Sequence, residues 1–182
     1  MLKYNFTKDN YSLIRKSIRN GDILAVSGKS WVSKMIKVFT KGKGAMLNGK
    51  LCEINHVGIF KWIETELFVI EAHHTVSPRR FSEKYKKHKG RIFVVRPSYK
   101  QNETKQVILN ALRLCDKKYD WLAVLKLIKS KAKYKLNKKY YCSELINVCR
   151  DYFYTDKKFK HMKPHPLIMK EPNFKYEIKN II

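Results

Sequence analysis

Three residues far apart in the chain have the types that nucleophilic acyl chemistry requires: Cys142 in KKYYCSELINVC, His56 at the head of HVGIF, and Glu71 inside FVIEA. The apolar periodicity that begins at Cys142 predicts a helix, so this cysteine falls in its first turn. There, unpaired backbone N–H groups and the positive end of the dipole favour thiolate over thiol. The same N–H groups can stabilise the oxyanion that forms when a thiolate attacks a carbonyl. Periodicity alone offers Cys142 a second role. With Leu145, Ile146 and Cys149 it completes an i, i+3, i+4, i+7 stripe that packs into a core. Cys149, two turns further on, is read as core only.

A nucleophilic cysteine takes its base from elsewhere in the chain. His56 is the best placed of the six histidines, because it opens a β-rich run directly after a polar loop, at the rim of a sheet. Its alternative role is a strand histidine satisfied by a local hydrogen bond. The runs HVGIFKWI and LFVIEAHH, separated by Glu64-Thr65-Glu66, form a hairpin pattern. A turn centred between residues 63 and 64 sets Glu71 opposite His56; one centred between 64 and 65 sets His73 opposite, with Glu71 diagonal. Both registers keep Glu71 on the His56 face, and a slip of one residue sends it to the other. A carboxylate among apolar strand neighbours is costly unless it has a partner. His73 and His74, adjacent on a strand, point to opposite faces and are no chelating pair.

These residues need elements to hold them. Residues 1–20 read as a short amphipathic helix or arm, with Leu13, Ile14 and Ile18 at helical spacing, stopped by Asn20-Gly21. Residues 22–27 read as a strand. SWVSKMIKVFTKGKG reads as a helix ended by glycines, and RIFVVRP as a third strand after the hairpin. Thr104 caps a helix running to Lys117, and a second helix starts near Asp120. A third runs from the quoted stretch to about Phe153. The tail HMKPHPLIMKEPNF, broken by prolines, reads as coil. The order predicts an α+β fold, with a small antiparallel sheet or half-barrel packed against helices, in one domain over 1–182.

Composition sets the remaining bounds. A chain of 182 residues with 44% hydrophobic content can bury a core without staples. Its four cysteines lack zinc-site spacing, so neither a metal nor disulfides are expected. There is no signal-like segment and no apolar run of membrane-spanning length, which predicts a cytoplasmic protein. Forty Lys+Arg against fifteen Asp+Glu give +25, a charge that draws polyanions: cell wall, anionic lipid or nucleic acid. The cations are mostly lysine, whereas base-edge recognition favours arginine. Lys84 to Lys89 and Lys126 to Lys139 read as solvated basic faces.

Taken in order, GDIL, SKMIKVFTKG, NHVGIF, VIEA, RIFVVRP, KYDW, YYCSELI and KPHPLI resemble the circularly permuted papain-like, NlpC-type cysteine hydrolases, above all the YiiX/YaeF-like branch. The resemblance spans nearly the whole chain after the N-terminal arm. It implies a permuted papain-like fold, in which the histidine strand precedes the cysteine helix. It also implies a cysteine peptidase or amidase with Cys142 as nucleophile, His56 as base and Glu71 as the orienting residue, and no cofactor. Tyr119 matches the family tyrosine near the nucleophile, a substrate-binding position. His73 is the alternative third member, because acyltransferase-like relatives use a second histidine there. The substrate class implied is a peptide, isopeptide or N-acyl amide. A lipid-directed thiol acyltransferase or esterase is the alternative, as is a non-enzymatic polyanion-binding protein on the same scaffold.

Overall fold

The structure is a computed structural model that describes residues 2–4, 8–27, 45–47, 50–52, 54–85, 88, 91–97, 100–120, 142–151 and 176–177. In chain order the elements are β1 (Leu2–Tyr4), α1 (Lys8–Ser17), β2 (Ile23–Ser27), β3 (Ala45–Leu47), β4 (Lys50–Cys52), β5 (His56–Ile63) and β6 (Glu66–Ala72). They continue with β7 (Val76–Arg80), α2 (Phe81–Tyr85), β8 (Arg91–Pro97), α3 (Gln101–Arg113), α4 (Cys142–Asp151) and β9 (Tyr176–Glu177). One antiparallel sheet runs β1-β8-β2-β5-β6-β7, with β9 also paired to β8, and β3 and β4 form a separate hairpin. The class is α+β.

The central strand β2 pairs with β5 on one side and β8 on the other, and all five of its residues are buried. Both of its faces are covered, so ILAVS is an almost unbroken apolar run. Alternate residues feed two cores. Ile23, Ala25, Val57, Ile59, Ile70 and Ala72 pack with Val107, Ile108 and Ala111 of α3 and Leu145, Ile146 and Cys149 of α4. Leu24, Val26, Phe60, Leu67 and Val69 pack on the other face with Tyr11 and Ile14 of α1 and Phe81 of α2. The sheet is thus larger than expected and has helices on both faces.

Several expectations shift. The first residues form strand β1, and the α1 face is Tyr11, Ile14 and Ile18, while Leu13 is 65% exposed. Helix α3 begins ahead of Thr104. The Glu103 carboxylate accepts the Lys100 backbone N–H at 2.7 Å, a cap made three residues back along the chain. Thr104 instead packs against Gly21, whose φ is +83°; a Cβ at Gly21 would lie 2.7 Å from Thr104 Cγ2. Strand β7 contains Pro78, which masks it in the sequence. It is an edge strand in the sheet order, where a residue without an N–H is tolerated. The helix expected over SWVSKMIKVFTKGKG, the helix after Asp120 and the proline-rich tail lie outside the described residues.

Candidate functional site

The turn of the β5–β6 hairpin is Glu64-Thr65, with Glu64 at φ 52° and Ile63 paired to Glu66. This is the second of the two registers. The paired register ends at Ile59↔Ile70; its count keeps Glu71 on the His56 face, diagonal to His56, while β6 ends before His73. Gly58 lies opposite Glu71 by the same count. A Cβ there would come within 2.5 Å of Val69 Cγ1 and 3.2 Å of Glu71 Cβ, so glycine is what lets the two strands close around the carboxylate.

His56 Nε2 lies 2.6 Å from Glu71 Oε2. An ionised carboxylate only accepts, so Nε2 carries the hydrogen that donates to it, and Nδ1 is left for a second partner. The His56 side chain is also hydrogen-bonded to Cys142, the first residue of α4. Burial alone would lower the His56 pKa. The bonds to Cys142 and Glu71, and the negative charges on both, outweigh burial and raise it from 6.5 to about 9. Cys142 and Cys149 are both buried, and neither is in a disulfide. Cys149 matches its reading as core, and burial pushes its thiol pKa up.

Glu71 is fully buried, and three side chains, His56, Lys84 and Arg79, lie within ion-pair distance of it. Lys84 of α2 pairs directly with Oε1, and Arg79 Nε of β7 lies 3.9 Å from the same oxygen. Burial would raise the Glu71 pKa. The His56 contact and the Lys84 charge reverse this and hold it at about 2. Neither cation was singled out in the sequence, where Lys84 sits at the start of a lysine run that reads as solvent-facing. The sequence signal pointing to them was indirect: a carboxylate in FVIEA required a counter-charge.

Tyr119 arrives by a different route. Residues 74–76 and 116–119 are stitched together: Asp116 N–H donates to Val76 O, Val76 N–H to Lys117 O and Tyr119 N–H to His74 O, each at 2.9 Å. Tyr119 is hydrogen-bonded to Cys142. Burial, followed by the charge on Cys142, pushes its phenol pKa up, so it stays protonated as a donor. The strand β6 ends at Ala72, before His73 and His74. These two residues sit in a bend with ring centroids 5.1 Å apart, so they are not on opposite strand faces as expected. The His73 ring is 6.1 Å from that of His56. Burial and the nearby charges of Lys84, His56 and Arg79 lower its pKa to about 4, so His73 is neutral near pH 7.

The site straddles the end of the sheet. Cys142 packs with the α3/α4 core, whereas alternation groups Glu71 with Leu67 and Val69 on the α1/α2 face, where Lys84 meets it.

No family model and no curated protein matches the chain. The fold is similar to the crystal structure of the metalloprotein YiiX from Escherichia coli O157:H7. The TM-score is 0.55 at 18% sequence identity, covering 76% of this chain and 68% of that one. At that identity the likeness carries the fold, and it agrees at that level with the YiiX-like motif resemblance.

Proposed function

We propose that the chain is a cysteine hydrolase of the permuted papain-like kind that cleaves an amide bond through Cys142, His56 and Glu71. The observation that carries this reading is that His56 is engaged twice, by the Glu71 carboxylate at 2.6 Å and by the Cys142 side chain at the start of α4. His56 Nδ1 takes the Cys142 proton, and the thiolate attacks the substrate carbonyl carbon. The backbone N–H groups of the first α4 turn and the Tyr119 hydroxyl stabilise the resulting oxyanion. The tetrahedral intermediate collapses, the C–N bond breaks, and the imidazolium gives its proton to the leaving nitrogen. Water, deprotonated by His56, then attacks the thioester; acid is released and the thiol restored. Glu71 holds the ring orientation throughout and favours the imidazolium.

YiiX is described as a metalloprotein. Among the described residues here, no group of three or more His, Cys, Asp or Glu side chains could hold a metal ion. His56 Nε2 is committed to Glu71, and Glu71 to Lys84. With their nitrogens and oxygens engaged in this way, His56 and Glu71 do not fit a metal centre. The charge of +25 favours a substrate presented on an anionic surface such as cell wall or lipid.

The test is an acyl probe that traps thiol nucleophiles. The parent protein is expected to be labelled at Cys142, and Cys142→Ala, folded by circular dichroism, to lose all labelling. Labelling that persists in the variant sinks the proposal. Acyl transfer to a lipid acceptor in place of water would move the assignment to an acyltransferase.

A further inference from the structure

The hydrolase reading assigns roles to Cys142, His56 and Glu71 and leaves one charged contact without a purpose. Lys84 lies on α2, the five-residue helix that follows β7, and reaches across the sheet face to Glu71 Oε1, while Oε2 faces His56. A buried ion pair of this kind is seldom a gain in stability, because two charges must be stripped of water. It does, however, fix two properties of a carboxylate: its rotation and its charge.

Resting on the hydrolase reading, we infer that Lys84 is a positioning residue: it anchors Oε1 of Glu71 so that Oε2 stays ionised and aimed at Nε2 of His56. Without the ammonium on Oε1, a carboxylate with no exposed surface loses a direct counter-charge and leans harder on the imidazolium it is meant to orient. Oε1 would then face Arg79, 3.9 Å away on a side chain that is 40% exposed, a contact too long and too wet to replace the ammonium. Among the described residues, the titratable groups that face Glu71 include His56 from β5, Arg79 from β7, Lys84 from α2 and, past the end of β6, His73. His73 is held neutral near pH 7, so Lys84 is the cation in direct contact that does not itself transfer a proton in the reaction.

The experiment follows Cys142 alkylation by iodoacetamide against pH in the parent, Lys84→Met, Lys84→Gln and Lys84→Arg. Loss of the Lys84 charge lets Glu71 protonate at higher pH, which removes the counter-ion of the imidazolium. The acid limb of the Lys84→Met profile is therefore expected to rise by a pH unit or more, a loss of about tenfold in rate on that limb. Lys84→Gln keeps a donor but not the charge and should behave like Lys84→Met; it also stands in if the methionine variant fails to fold. Lys84→Arg should restore the limb. Profiles of folded Lys84→Met or Lys84→Gln that superimpose on the parent overturn the inference.

A second arm separates this inference from the proposed function. NMR titration of the His56 ring and Glu71 carboxyl in a Cys142→Ala background needs no catalysis. If Glu71 titrates independently of Lys84, the positioning role fails whatever the reaction. If it shifts with Lys84 while Cys142 never acylates, the hydrolase reading fails and the positioning role stands.

Discussion

Among the described residues, Asp22 and Glu71 are carboxylates buried beside cations, and they serve opposite ends. Asp22, 2% exposed, is held from all sides by groups that do not titrate near neutral pH. Arg96 donates to it from Nε at 2.9 Å and from Nη2 at 2.7 Å, and the Arg19 backbone N–H donates at 2.8 Å. Arg96 also reaches the Ser17 carbonyl at 2.7 Å, so the cluster ties the exit of α1 to β2 and β8. Glu71 is equally buried, but one of its oxygens is bound to an imidazole whose pKa has been moved to about 9. Burial and a counter-charge are common to both. What separates a clamp from a candidate site is a partner that can gain and lose a proton, next to a thiol that can supply one.

That difference can be pressed experimentally. The largest effect belongs to Glu71→Gln, which keeps the shape and removes the charge that supports the imidazolium. Acylation of Cys142 should slow by about 10²–10⁴-fold, measured with the acyl probe in single turnover. Asp22→Asn should do the reverse. Breaking one side of a buried, bidentate pair costs about 3–5 kcal/mol, read from urea unfolding, while the alkylation rate of the folded fraction stays at the parent value. If Asp22→Asn lost reactivity without losing stability, the contrast would collapse.

The pH dependence of stability sharpens the same point. His56 rises from 6.5 to about 9, so its contribution is complete below pH 6.5 and fades as pH climbs through 9. Glu71 falls from 4.5 to about 2, so its contribution is complete above pH 4.5 and fades on acidification towards 2. The Tm contributed by this pair should therefore be highest between 4.5 and 6.5 and decline on both sides. Glu71→Gln should remove the acid decline and weaken the alkaline one, which Cys142 also supports, whereas Asp22→Asn should lower the curve and leave these flanks in place. The smallest effect is expected from Arg79→Gln, whose longer and more exposed contact should change alkylation by no more than about threefold.

What the sequence made legible was local. The hairpin pattern offered two registers with Glu71 on the His56 face and a one-residue slip that removes it, and a two-residue turn at Glu64-Thr65 selects one of the former. The buried strand β2 was readable because a strand covered on both faces becomes an apolar run. The long-range features were not readable. Lys84 carries no mark that separates it from the lysines after it. Its importance comes from β7 pairing with β6, which carries α2 over Glu71, and Pro78 hid that strand. His73 and His74 were misplaced because the chain leaves the sheet one residue before them and turns to meet residues 116–119. Strand periodicity says nothing about where pairing stops.

The Cys142 thiol and the Glu71–Lys84 pair belong to different layers of the molecule: α4 packs on one face of the sheet, while Glu71 and Lys84 are buried against the other. Their meeting through His56 depends on how the layers are seated, and a slide of α4 over β5 would part them while every helix and strand stayed intact. Reactivity is thus a vernier for the alignment of the layers. In a urea titration the Cys142 alkylation rate should begin to change while the circular dichroism spectrum is still that of the native protein.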